Sequence, residues 1–228
     1  MKIEIWSDYA CPFCYVGKRH LEAALSQFAH AKQVQIVHKV FELDPTASND
    51  VTTTTQQRIE RKYGRTSADA KAFIRQVEAT AQKAGLEMKY ETVQNTNTFD
   101  AHRLTKLAES LGKADVMNER LMYAYFTENL ALAERKNLVK CGEDVGISRE
   151  LIEKLLDSDQ FASEARQDEQ EARQIGIQGV PFLVIDGKFG LSGAQPADYM
   201  LQALNQAWNE QAESEITAGI ACGIDGCN

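Results

Sequence analysis

Lys2-Ile3-Glu4-Ile5-Trp6-Ser7-Asp8-Tyr9-Ala10-Cys11-Pro12-Phe13-Cys14 is the stretch on which the fold turns. Residues 2–7 alternate in the manner of a strand, with Ile3 and Ile5 on one face and Glu4 on the other. Asp8-Tyr9-Ala10 breaks the alternation. From Cys11 the period changes, and Val16, Leu21, Ala24, Leu25 and Phe28 recur at helical spacing. Pro12 falls just inside the start of that helix, a position where its missing N–H costs nothing. Cys11 therefore stands at or before the first turn, where unpaired backbone N–H groups and the positive end of the helix dipole favour an anion. Cys14 follows three residues later on the same helical face, within reach of a disulfide.

Working outward, residues 34–41 are rich in Val and Ile and read as a second strand, ended by Leu43-Asp44-Pro45. Residues 45–174 carry no strand signal. Residues 50–55 are polar and threonine-rich, a loop or a frayed helix start. A helix over 67–83 stops at Gly85, and another opens at Thr98-Phe99-Asp100 with Leu104, Leu107, Ala108 and Leu111 on one face. Further helices are predicted over 114–127, 137–145, 149–157 and 160–174. Strand character returns at Pro181-Phe182-Leu183-Val184-Ile185. Asp186-Gly187 then signals a type I′ hairpin turn, answered by residues 188–192. Pro196 starts a closing helix that runs to about Asn209, and from about Thr217 the glycine-rich end reads as a loop-like tail.

The order is β-α-β, helical block, β-β-α. That is the order of an α/β thioredoxin fold with a large all-helical domain inserted between its two halves. The expected division is a discontinuous thioredoxin-like domain of residues 1–44 and 175–212, an inserted helical domain of 45–174, and a C-terminal tail of 213–228 holding Cys222 and Cys227.

A chain of 228 residues buries enough apolar surface to fold without covalent staples, so its five cysteines need another reason. The formal net charge of −8 makes a general nucleic-acid binder a poor fit. No stretch approaches the roughly 20 apolar residues of a membrane span. The N-terminus enters the first strand at once, without a leader-like apolar run and cleavage site. The expected compartment is the cytoplasm, where paired cysteines are usually redox-active or metal-binding rather than structural.

Cys11-Pro12-Phe13-Cys14 at a strand-to-helix junction fits thiol–disulfide chemistry. A thiolate at a helix N-terminus has a lowered pKa, and the thiolate is the species that attacks a disulfide. Phe13 brings no positive charge, so a depressed but not extreme pKa is expected at Cys11. A zinc site would need two more ligands, usually a second CxxC or a His pair, and His20 lies within the first helix. An inert buried pair is the other alternative. The reading is mixed-disulfide exchange, with Cys11 as attacking thiolate and Cys14 as resolving partner. Protein or small-molecule disulfides and thiols are the expected substrates. No cofactor or metal is required, and glutathione is a candidate reductant.

Gln178-Gly179-Val180-Pro181-Phe182 precedes the third strand. Together with the CPFC motif and the helical insertion, it resembles the DsbA family of the thioredoxin superfamily. That resemblance implies a cis Pro181 facing the cysteine pair, with Val180 offering its backbone to an extended substrate and Pro12 and Phe13 at the binding surface. Residues 7–14 with Gly17-Lys18-Arg19, residues 97–103 and residues 176–182 are similar to the FrnE-like branch, whose members are soluble, cytoplasmic oxidoreductases and disulfide isomerases. Hydroxychromene-carboxylate isomerases and kappa-class glutathione transferases share the architecture, but they usually carry serine at the position of Cys11. A glutathione-dependent isomerase or transferase of a small aromatic compound is therefore one rival function. A chaperone-like binding module without redox turnover is another.

Other candidates carry a plain and a functional reading. Cys222 and Cys227, in a Cys-x4-Cys spacing that some FrnE-like proteins resemble, form either a second redox pair or a chance pair in a tail. Cys141 shares helical core spacing with Leu138 and Val145, as a buried inert thiol would. Asp8 is either a proton acceptor for Cys14 or a turn residue. His102 lines the groove between domains or is structural. Lys18 and Arg19 attract an acidic substrate or are solvated charges. The oligomeric state stays open.

Overall fold

The structure, a computed structural model, describes residues 1–221, with side chains as far as Glu210. The chain opens with β1 (Lys2–Ser7), α1 (Pro12–Gln27) and β2 (Gln35–Val40). Seven helices follow: α2 (Thr55–Tyr63), α3 (Ser67–Lys83), α4 (Phe99–Ser110), α5 (Ala114–Phe126), α6 (Arg135–Asp144), α7 (Arg149–Leu156) and α8 (Ala162–Gln174). The chain then returns through β3 (Phe182–Ile185), β4 (Phe189–Ser192) and α9 (Ala197–Ala221). The four strands form one sheet in the order β2-β1-β3-β4. β1 and β2 are parallel, in the register Ile3 to Ile36. β3 runs antiparallel to β1 with Ile3 opposite Ile185, and the β3–β4 hairpin closes the edge. Asp186 and Gly187 have φ of 49° and 69°, the pair of positive values that a type I′ turn demands.

β1 is central and both of its faces are covered, which explains why its polar positions are not solvated. Ile3 packs with Leu183, Ile185 and Leu191 against Leu21, Ala24 and Phe28 of α1 and Met200 and Leu204 of α9. On the opposite face Trp6 meets Ala172 of α8 and Ile177. Glu4 on that face is buried and paired with Lys2 at 3.0 Å. A polar junction bolts α8 onto this face. The Trp6 indole donates to the Asp168 carbonyl (2.9 Å), and the Val40 amide donates to Oδ2 of Asp168 (3.1 Å). Lys39 of β2 and Lys106 of α4 reach the same carboxylate at 3.0 and 2.6 Å.

The helical block has its own core, built from Leu104, Met117, Leu121, Tyr125, Phe126 and Leu132 among others, and that core continues into Tyr9, Cys11, Cys14 and Tyr15. Two elements differ from the sequence reading. α2 is a full helix, opened by a capping box in which Thr54 and Gln57 exchange side-chain and backbone hydrogen bonds. α9 continues to Ala221, beyond Asn209 and into the stretch read as loop-like from about Thr217. Glu210-Gln211-Ala212-Glu213 are strong helix formers, and their propensity favours continuing the helix past Asn209. Cys222 and Cys227 lie outside the described residues. Among the described residues no helix is long and apolar enough to cross a membrane.

Candidate active site

β1 delivers the chain to a tight turn at Asp8, whose carbonyl accepts from the Cys11 amide (3.0 Å) and whose Oδ1 accepts from the Ala10 amide (3.2 Å). The turn leaves Cys11 at the N-cap of α1 with extended backbone, Pro12 at the first helical position, and the Cys14 amide donating to the Cys11 carbonyl (3.1 Å). Both thiols are free and both are buried. The Cys11 Sγ donates to the Val180 carbonyl at 3.4 Å, across 169 residues of sequence. The Val180–Pro181 peptide bond is cis, as the resemblance implies. Gly17 of α1 makes the approach of Pro181 feasible, since a Cβ there would sit 3.2 Å from Pro181 Cγ and force a shift. Pro12 is buried while Phe13, 37 % exposed, stands at the rim. Cys11, Phe13, Val180, Ile59, Phe73 and Tyr90 line a largely apolar groove of about 180 Å³.

Cys14 lies deeper, on a chamber of about 20 Å³ that it shares with Lys18, His38, Asn118 and Pro181. Burial pushes its thiol well above the ordinary value, and the hydrogen bond with Cys11 and the Cys11 charge push the same way. Two thiols one helical turn apart, one facing a groove and the other held protonated behind it, form a couple suited to sequential nucleophilic displacement.

Asp8 is buried at the junction of the sheet and the helical block. Its Oδ2 accepts from the Leu43 amide (2.7 Å), its Oδ1 from the Thr98 hydroxyl (2.8 Å), and His102 Nε2 lies 3.5 Å away. Burial raises the carboxyl, but His102 and the Leu43 and Ala10 amides outweigh it and hold the group below its ordinary 3.8. A depressed carboxyl contributes stability that is present above the unfolded value and lost as pH falls through the folded one. Asp8→Asn puts an amide donor where only donors point, and is expected to cost about 2–4 kcal/mol at neutral pH. It is also expected to flatten the loss of stability below about pH 4. Urea midpoints taken across pH 3–7 check both; parallel curves for the two proteins would remove Asp8 from this role.

The remaining candidates separate cleanly. His102 is buried against Asp8 and the Tyr9 ring (centroids 4.8 Å apart), a structural position. Lys18 and Arg19 are committed to neighbouring carboxylates: Lys18 to Glu22, Asp115 and Glu119, Arg19 to Glu22 and Glu119. They are half-buried and held in ion pairs rather than standing as free cations. Cys141 is fully enclosed in the helical core, and burial pushes its thiol up to about 11, so it is inert at neutral pH. Among the described residues no group of three His, Cys, Asp or Glu side chains could hold a metal ion. What the sequence reading missed is the far wall of the groove, formed by Arg58, Ile59 and Lys62 on α2 and by Tyr90. The signal for α2 was available in Thr54-x-x-Gln57, a capping box before Ile59.

A CxxC pair at the N-terminus of the first helix, facing a cis proline across a β-α-β/β-β-α sheet, defines a thioredoxin-fold enzyme of the oxidoreductase type. Residues 2–205 match the DSBA-like thioredoxin domain, and the chain belongs to that family. Its structure is similar to that of a probable DsbA oxidoreductase from Streptomyces coelicolor, with 38 % identity, TM-score 0.88, and 92 % of this chain and 91 % of that one covered. It shares its fold with a 2-hydroxychromene-2-carboxylate isomerase (16 % identity, TM-score 0.69, 93 % and 98 % covered). The fold is also that of the cytosolic disulfide reductase DsbM from Pseudomonas aeruginosa, solved with GSH (15 % identity, TM-score 0.62, 94 % and 100 % covered).

Proposed function

We propose that the protein is a cytoplasmic thiol–disulfide oxidoreductase and isomerase of the FrnE-like branch, acting through Cys11 and Cys14. The Cys11 thiolate attacks one sulfur of a substrate disulfide. A Cys11–substrate S–S bond forms, the substrate S–S bond breaks, and the other half leaves as a thiolate that takes a proton from water. Cys14 then loses its proton and attacks Cys11 sulfur, closing the Cys11–Cys14 disulfide and releasing the second substrate thiol. The substrate has gained two electrons and the enzyme has lost two. A low-molecular-weight thiol such as glutathione returns them, and is itself oxidised to its disulfide. Run backwards, the oxidised couple is donated to substrate thiols. Val180 offers its backbone and Pro12 and Phe13 their apolar surface to the substrate, while Pro181 packs beside the pair. Cys222 and Cys227 are carried in the proposal as a second pair exchanging with the first.

The observation that supports this reading best is the 3.4 Å contact between Cys11 Sγ and the Val180 carbonyl at the floor of an open groove, with the second thiol one turn behind. The retained dithiol also separates it from a glutathione-dependent isomerase or transferase, which has no use for a resolving sulfur. A chaperone-like module would have no use for either. The test is reduction of insulin by dithiothreitol, followed by turbidity. The full chain is expected to accelerate it, Cys11→Ser to abolish the acceleration, and a chain ending at Thr217 to slow it. Equal rates for the full chain and Cys11→Ser would remove the proposal; a full rate for the shortened chain would remove only the second pair.

A further inference from the structure

The wall of the groove at Cys11 carries positive charge that no carboxylate among the described residues pairs. Between positions 58 and 65 this acidic chain places Arg58, Arg61, Lys62 and Arg65 against Glu60 alone. Arg58 and Lys62 line the 180 Å³ groove at Cys11. They also line, with Arg61, an adjoining cavity of about 630 Å³. Ala10 and Leu43 also belong to both, so the two spaces share a wall. Among the described residues Arg58, Arg61 and Lys62 make no ion pair. Arg58 goes further: its Nε and Nη2 are enclosed and have no hydrogen-bond partner. Enclosed guanidinium donors without an acceptor are costly, and their usual acceptors are carboxylates taken two oxygens at a time.

The two carboxylates that also line the larger cavity do not answer them. Asp8 is engaged by Ala10, Leu43 and Thr98, and Asp44 Oδ1 accepts from the amide and hydroxyl of Thr46. Tyr90 stands beside Arg58 as a phenol that burial keeps protonated against the pull of the guanidinium, so it is no anion either. The groove brings cationic donors and a thiol into one lining. The volume of the adjoining cavity falls within the range of pockets that hold compact small molecules.

We infer that Arg58, assisted by Arg61 and Lys62, binds the carboxylate of a low-molecular-weight disulfide or thiol whose sulfur is presented to Cys11. This rests on the proposed exchange at Cys11 and names its substrate class: small, anionic, with the carboxylate several bonds from the sulfur. Arg58 is then a substrate-binding residue that sets specificity by charge.

The experiment compares the oxidation rate of the reduced full chain by glutathione disulfide and by neutral hydroxyethyl disulfide, read by acid quenching and mass spectrometry. Arg58→Gln is expected to slow the reaction with glutathione disulfide about tenfold, the scale of one lost charge-assisted contact. The neutral disulfide should change less than twofold. Arg58→Lys should recover part of the loss, and 0.5 M salt should shrink the wild-type preference. Equal losses with both disulfides, or none with either, would overturn the inference. So would a loss confined to an acidic peptide disulfide, which would assign the charge to protein substrates. Calorimetric binding of S-methylglutathione, which cannot exchange, reads the site without the redox step. Binding weakened about tenfold by Arg58→Gln supports it even if Cys11 proves unreactive, and no binding to the wild-type chain overturns it.

Discussion

A Cys14→Ser protein mixed with a disulfide substrate at neutral pH is expected to stall as a covalent adduct on Cys11. Turnover should fall by about 10³-fold or more, because well-oriented intramolecular groups reach effective molarities of about 10⁵ M and no external thiol at millimolar concentration replaces them. The stall follows from the position of the two sulfurs. Cys11 faces the groove, whereas Cys14 is enclosed one turn behind it on a water-sized chamber. Incoming thiols therefore meet the adduct only from the groove side. The pH dependence of the wild-type protein tests the same idea. Burial, the Cys11 hydrogen bond and the Cys11 charge all raise the Cys14 thiol. Capture of substrate neutralises Cys11 and removes the last two of these causes, leaving burial and the Asp8 charge. Cys14 thus becomes easier to deprotonate only after its partner is occupied, which orders the two displacements. Because the group stays on the raised side of its ordinary 9.0, the resolution rate should climb with pH through the neutral and mildly alkaline range. Stopped reactions analysed by mass spectrometry give both quantities. A Cys14→Ser protein that turns over normally, or an adduct lifetime flat between pH 6 and 9, would show that Cys14 does not resolve.

Much of this site is legible in sequence because it is local. Alternation in residues 2–7, the turn at Asp8 and a proline one residue into a helix place Cys11 without any long-range information. The β3–β4 hairpin is equally local, since Asp186-Gly187 specifies its own turn. What is hidden depends on meetings between distant segments. Asp8 looks like a turn residue until Leu43 and Thr98 arrive at its carboxylate. Lys18 looks solvated until α5 brings Asp115 and Glu119 to it. α2 is polar enough, with only Ile59 fully buried among its apolar positions, that periodicity does not announce it. Its Arg58 gains meaning only beside Cys11, 47 positions earlier in the chain. The extension of α9 is hidden for a different reason: Thr217 and Gly219 read as the start of a loop, while the helix-forming run Glu210-Gln211-Ala212-Glu213 before them favours continuation.

Asp168→Ala is expected to be the most destabilising single substitution on the sheet side of the helical block. The carboxylate is nearly enclosed, with its side chain 6 % exposed, and it meets Lys39 at 3.0 Å, Lys106 at 2.6 Å and the Val40 amide at 3.1 Å. Removing it strands two partly buried ammonium groups and one buried amide. Breaking a buried pair by deleting one partner costs about 3–5 kcal/mol. The lower end applies, because Lys39 keeps Glu171 at 2.8 Å and Lys106 keeps the His38 carbonyl at 3.2 Å. For a chain of this length about 3 kcal/mol corresponds to a fall in Tm of roughly 6–12 °C. Asp168→Asn keeps an acceptor for Val40 but not the charge, so it should fall between the two. The Trp6 bond is made to the Asp168 carbonyl, so both variants retain it, and the loss measures the carboxylate alone. Asp168 lines neither the groove at Cys11 nor the chamber behind Cys14, so the folded variants should still exchange disulfides. Thermal melts beside the insulin assay separate the two effects. A Tm within a degree or two of wild type would mean that the helical block is held to the sheet by its apolar face through Trp6, Ala172 and Ile177, with the ion cluster contributing little.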